Sequence, residues 1–207
     1  MKSKTIIILI ALLSLSSISC KRVAMKFLGI HLPTTESRQS IQDFLLKAGQ
    51  DTANTFALDS ALFVEMQHAP YKPGWDSGFR PFQIRVYDNT GQPVMQWASC
   101  EGFLKDLKTF DSVPPKNFNG LNRDFTLAED LNQYWTLSGE KVEVDIPEGV
   151  DYYVVIYFAN WYPRMSRKIF QNVQKYTEQH PELKFQVYKV CVDIMEFWDI
   201  ETVVTLY

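Results

Sequence analysis

The residues of this 207-residue chain that could do chemistry are few and scattered. Its cysteines are Cys20, Cys100 and Cys191, and its histidines His31, His68 and His180. A cysteine becomes a nucleophile only where it is accessible and its pKa is depressed, whereas Cys191 sits inside the apolar run Val190-Cys191-Val192. A thiol oxidoreductase or peroxidase using Cys100 or Cys191 alone is the enzyme reading that these residues allow. The histidines have no Cys, Asp or Glu neighbours at ligand spacing, so no metal site is expected. Glu140, Glu143, Asp145 and Glu148 gather around one segment, where solvation is the ordinary account and paired acid/base work the alternative. Neither a glycine-rich phosphate loop nor a Gly-x-Ser-x-Gly elbow occurs, and no cofactor is expected. What remains is Trp161, Tyr162, Arg164 and Met165. Exposed Trp, Tyr and Arg are good interface anchors, and the functional reading is a binding patch for a peptide or partner protein. The competing reading has Met165 opening an apolar helix stripe and Trp161 plugging the end of a sheet.

The elements that must position these residues follow from periodicity. Tyr152 to Ala159 is apolar without alternation, as in a central strand buried on both faces. Pro163 suits a first helical turn, and the helix should run to about Gln179 with Met165, Ile169, Val173 and Tyr176 inward. His180-Pro181 stops it, and Phe185 to Ile194 is the next strand. Arg164, Arg167, Lys168 and Lys175 make one helix face basic, which reads as a solvated face. Upstream, Phe82, Ile84 and Val86 alternate with Gln83, Arg85 and Tyr87, and Asp88-Asn89-Thr90-Gly91 turns the chain into Pro93 to Ala98, a hairpin pattern. A helix is expected over Glu36 to Lys47, a strand over Thr55 to Met66, a helix over Glu101 to Phe110, a short helix over Leu127 to Trp135, and a strand over Lys141 to Ile146. The loop from His68 to Gly78 surrounds Trp75, and Met195 to Tyr207 is a short helix or strand.

The N-terminus has the order of a secretory signal peptide: Lys2 and Lys4, an apolar stretch from Ile6 to Leu15, and small residues before Cys20. Ten residues of helix reach about 15 Å, half of a hydrocarbon core of about 30 Å, so the stretch targets rather than spans. The segment before Cys20 resembles the bacterial lipobox, departing from it at Ser17. That resemblance implies lipidation of Cys20 and a membrane anchor in the cell envelope, facing the periplasm. Simple secretion is the alternative. Residues 1–19 are thus read as a signal, 20–35 as a tether, and 36–207 as one domain with an N-terminal elaboration over 36–79. Loss of Lys2 and Lys4 makes the remaining chain more acidic than the overall charge of −3, without the basic excess that nucleic-acid binding requires. An apolar fraction of 46% and a charged fraction of 22% are ordinary for a globular protein.

The corner from Tyr152 to Lys175 resembles the active-site corner of the thioredoxin family, where the central strand ends in Trp and the helix opens with Cys-x-x-Cys. Here the two cysteine positions read Tyr162 and Met165, so the resemblance implies the fold while these residues cannot exchange a disulfide. Asp193 matches a strand end common in that family. The family's hairpin and closing helix come last, and Arg80 to Phe110 carries the same order of elements upstream. The implied fold is an α/β thioredoxin-like three-layer sandwich, rearranged so that residues 80–110 precede the β-α-β unit at 152–194. The resemblance then places Arg80 and Pro81 opposite Trp161 and Tyr162, where the family presents a proline to a bound backbone. Pro81 simply preceding an edge strand is the alternative. On this arrangement Cys100 and Cys191 are too far apart to bond. The function expected is a redox-inactive envelope lipoprotein binding a protein or peptide, and the third reading is a structural envelope component contacting others through a sheet edge or the Trp75 loop.

Overall fold

The computed structural model describes residues 25, 29–68, 81–99, 126–143 and 146–198. The expected Glu101–Phe110 helix, the Trp75 loop, Arg80, Cys20, Cys100 and residues 199–207 lie outside the described residues.

An unbroken apolar run forms the centre. Strand β6 (Tyr152–Phe158) is followed by helix α4 (Pro163–Gln179) and strand β7 (Phe185–Cys191), which pairs parallel to β6 from Tyr152↔Phe185 to Phe158↔Cys191. Helix α4 buries Met165, Ile169, Phe170, Val173 and Tyr176 on one stripe, as a 3.6-residue period requires. Each such aliphatic or aromatic side chain taken fully from water contributes roughly 1.5–3 kcal/mol before ordering costs. On the other side of β6 lies the hairpin of β3 (Phe82–Asp88) and β4 (Pro93–Ser99), with β3 antiparallel to β6 through Ile84↔Ile156 and Val86↔Val154. Gly91 adopts a φ of +77° in its turn, where Asp88 accepts backbone N–H bonds from Thr90 and Gln92.

The far side is built by β2 (Thr55–Leu58), parallel to β7, and β5 (Tyr134–Thr136), antiparallel to β2. The result is a mixed six-stranded sheet in the order β4-β3-β6-β7-β2-β5, and the protein is an α/β structure. Helix α1 (Arg38–Lys47) opens with a reciprocal cap between Ser37 and Ser40 and buries Ile41, Phe44 and Leu45. Phe158 stacks on Phe44 of α1 and packs on Phe170 of α4, so both helices cover one face. Helix α3 (Leu127–Leu131), capped by Thr126 and Glu129, brings Asp130 to Arg85, Tyr87 and Tyr157 on the opposite face. Outside the sheet, β1 (Thr35–Glu36) and β8 (Ile194–Met195) form a short parallel pair.

Five expected elements are corrected. The Thr55–Met66 segment is strand only to Leu58, then helix α2 (Ser60–His68), because Asp59 accepts the N–H groups of Ala61 and Leu62 and starts a helix there. The Leu127–Trp135 helix stops at Leu131, and its tail becomes β5 because Leu58 and Ala57 offer a free edge to Tyr134 and Trp135. Lys141 makes only a single bridge to Trp135, and the next two residues are irregular. Strand β7 ends at Cys191, where Asp193 turns inward to bind backbone amides. Helix α1 begins two residues later than expected, after Thr35 and Glu36 have paired as β1.

Candidate functional site

Where β6 ends, the chain must turn sharply into α4, and its backbone donors need partners. Ser166, one turn into α4 and fully buried, supplies both for Ala159. Its hydroxyl accepts the Ala159 N–H at 3.0 Å and donates to the Ala159 carbonyl at 2.7 Å. The Asp193 carboxylate takes the next two amides, Asn160 N–H at 2.7 Å and Trp161 N–H at 3.2 Å, and Cys191 Sγ donates to it at 3.1 Å. Burial pushes the Asp193 pKa up to about 6, although the amide donors and the thiol pull it back down. The Asn160 side chain donates in turn to Glu36 at 3.1 Å. Asp193 thus fixes the backbone of this corner, and Glu36 holds the Asn160 side chain.

On this frame Trp161 and Tyr162 stack side by side, half-buried, with centroids 6.2 Å apart. Phe82, at the head of β3, packs against both, tilted at 5.8 Å from Trp161 and edge-on at 5.5 Å from Tyr162. Pro81 is buried immediately before it. The hairpin therefore does meet the helix corner, through Phe82, a residue not singled out in the sequence. Arg164 is exposed. Met165, expected in the binding patch, is 2% exposed and belongs to the core under α4, because the helical period turns it toward the sheet while Arg164 faces out. The N-terminal segment crosses the same corner: His31 N–H donates to the Trp161 carbonyl at 2.7 Å, and Gly29, at φ +70°, lies against Arg164, where a Cβ would come within 2.7 Å of its Cδ.

The corner cannot carry out thiol exchange with its own groups. Tyr162 and Met165 hold no thiol, and Cys191 is a free, fully buried cysteine whose pKa burial and the Asp193 carboxylate push well up. What the corner offers is aromatic surface beside a backbone edge.

Two other polar assemblies were not foreseen. Beneath α3, the buried Arg85 pairs with Asp130, which also accepts from Tyr87 OH at 2.7 Å and Tyr157 OH at 3.4 Å. Tyr134 and Tyr157 share a 2.8 Å hydroxyl bond, and the Arg85 guanidinium lies 4.7 Å above the Tyr157 ring. Burial opposes the Arg85 charge most strongly, and only Asp130 together with Tyr157, Tyr134 and Tyr87 outweighs it; burial and Asp130 together raise the Tyr134 pKa. The other is a cleft of about 390 Å³ between the 49–54 loop, α4 and β7, floored by Ile156, Phe170 and Val173. In it the buried Lys189 ammonium donates to Asp51 at 2.8 Å, a bond that lowers the Asp51 pKa. Among the described residues no three His, Cys, Asp or Glu side chains gather to hold a metal ion, and no helix is long and apolar enough to cross a membrane.

No protein-family model matches the sequence, and no curated protein or solved structure proved similar to it.

Proposed function

We propose that this chain is a redox-inactive, thioredoxin-like binding module that takes a protein or peptide at the crevice of Phe82, Trp161 and Tyr162, carried in the cell envelope on a lipid at Cys20. One observation carries the reading: the hairpin pairs with the central strand and brings an aromatic ring onto Trp161 and Tyr162 just beyond that strand, leaving a partly exposed aromatic surface where open α/β sheets receive ligands. Supporting it, the β3-β4 hairpin lies in the same sheet as β6 and β7, which the rearranged thioredoxin-like reading needs. The buried Cys191 weighs against a single-cysteine enzyme at this corner.

The test is photo-crosslinking from a benzophenone amino acid at position 162 in the native envelope, with position 46 on α1 as the control, since Leu46 is exposed. A defined polypeptide adduct from position 162 and none from 46 supports the reading; equal or absent adducts sink it. Labelling of the folded protein with a maleimide should leave Cys191 unmodified, and rapid reaction there would revive the thiol enzyme. Replacement of Cys20 by Ala should release the protein from the membrane fraction if the anchor is a lipid at that position.

A further inference from the structure

The crevice is already crossed by polypeptide. From Gly29 the chain runs over the Trp161–Arg164 corner, donates from His31 N–H to the Trp161 carbonyl, and ends in the parallel pairs Thr35↔Ile194 and Glu36↔Met195, where Glu196 N–H also donates to the Glu36 carbonyl at 3.0 Å. Its attachment is largely through backbone. Residues 31 to 35 are all exposed, and Leu32 is 76% exposed. A segment held by main-chain bonds with its side chains in water gains little from apolar burial. Beside it, Trp161 and Tyr162 are only partly buried. A segment that used the same backbone edge and also covered those rings would bind more strongly per residue.

Resting on the binding-module reading above, we propose that the crevice is a receptor for an extended polypeptide segment and that residues 29–34 are its built-in occupant, a strap that a partner segment must displace. Tethering gives such a strap a local concentration in the millimolar range, so a competing segment from outside meets an occupied site unless it makes additional contacts. The two positions that seat the strap are separable from the fold of the sheet. Gly29 requires a positive φ that a β-branched residue resists, and His31 contributes its backbone N–H alone.

The test uses the full chain with the substitutions Gly29→Val and His31→Pro together, and as probe a fluorescein-labelled decapeptide with the sequence of residues 25–34. Limited proteolysis within residues 29–34 first establishes that the strap is released, while hydrogen exchange shows that the β6 amides keep their protection. Fluorescence anisotropy should then show the probe binding the double variant at least tenfold more tightly than the unaltered chain, and addition of Trp161→Ala should abolish the gain. Equal binding to both proteins, or no binding to a variant whose strap is demonstrably released, overturns the strap. Crosslinking from position 162 separates the two readings. Adducts of equal yield with and without the strap substitutions leave the binding module standing and remove the gate, whereas no adducts in either protein remove the module itself.

Discussion

The corner at Trp161 and the network at Arg85 both bury carboxylates, and they use them in opposite ways. Asp130 faces a permanent cation and two tyrosine hydroxyls, so its charge is met by side chains in a closed set under α3. Asp193 faces main-chain amides and a thiol, with Glu36 close enough to oppose its ionisation. The first arrangement joins a helix to a sheet. The second shapes a stretch of backbone beside aromatic rings that are only partly buried. A buried charge with a dedicated counter-ion reads as architecture; a buried charge spent on posing a loop, beside uncovered rings, reads as preparation of a surface.

Breaking the closed set should give the largest effect. Asp130→Leu strands the Arg85 guanidinium in the core, and removal of one partner of a buried pair costs about 3–5 kcal/mol. Urea denaturation should show that loss, and the double variant Asp130→Leu with Arg85→Met should recover part of it. If the single variant loses less than about 1 kcal/mol, Arg85 is not held as the geometry indicates.

The corner should respond to pH instead. Because burial raises the Asp193 pKa to about 6, the folded protein binds a proton more tightly than the unfolded chain does. The contribution is therefore full below the ordinary carboxylate value near 4 and is lost as pH rises through about 6, amounting to at most about 3 kcal/mol. Asp193→Asn cannot ionise. Its stability relative to the unaltered protein should shift in the variant's favour between pH 4 and 6, measured by urea midpoints across that range. A difference that stays constant with pH would show that Asp193 is not the titrating group.

Both features also show what a sequence can and cannot disclose. The β6-α4-β7 unit was legible because Tyr152–Phe158 has no polar interruption and Pro163 marks a helix start, and the hairpin because Asp88-Asn89-Thr90-Gly91 divides two alternating runs. Thr55–Met66 misled because its apolar residues suit strand and helix alike, and one Asp59 side chain decides between them. The Arg85–Asp130 pair left no local signal, since its members are 45 positions apart and each looks like an ordinary residue of a solvated face. Trp161 and Tyr162 stand out in the sequence by residue type and position, whereas only the motif suggests Met165, which the helical period turns inward. Phe82 was visible as the residue after Pro81, but only the pairing of β3 with β6 places it on the aromatic pair.

At the corner itself lies Ser166, whose hydroxyl serves both backbone groups of Ala159. Ser166→Ala leaves a buried donor and acceptor with one partner fewer, so a loss of about 2 kcal/mol is expected in the same urea assay. Hydrogen exchange should report faster opening at Ala159 and Asn160 than at β3. Uniform acceleration across the sheet would mean that the serine supports the whole fold rather than the corner.

The smallest stability effect should come from the position proposed to bind. Tyr162 is partly buried and makes no side-chain cap for α4, and its ring lies at the rim of the core, against Phe82 and Trp161. Tyr162→Ala should therefore cost under about 1 kcal/mol, while abolishing recovery of whatever polypeptide crosslinks at the crevice when the benzophenone is moved to position 161. A large loss of stability with recovery intact would invert the comparison: the aromatic pair would then be a plug for the end of the sheet, as Met165 is part of its core, and the open surface of the protein would have to be sought elsewhere.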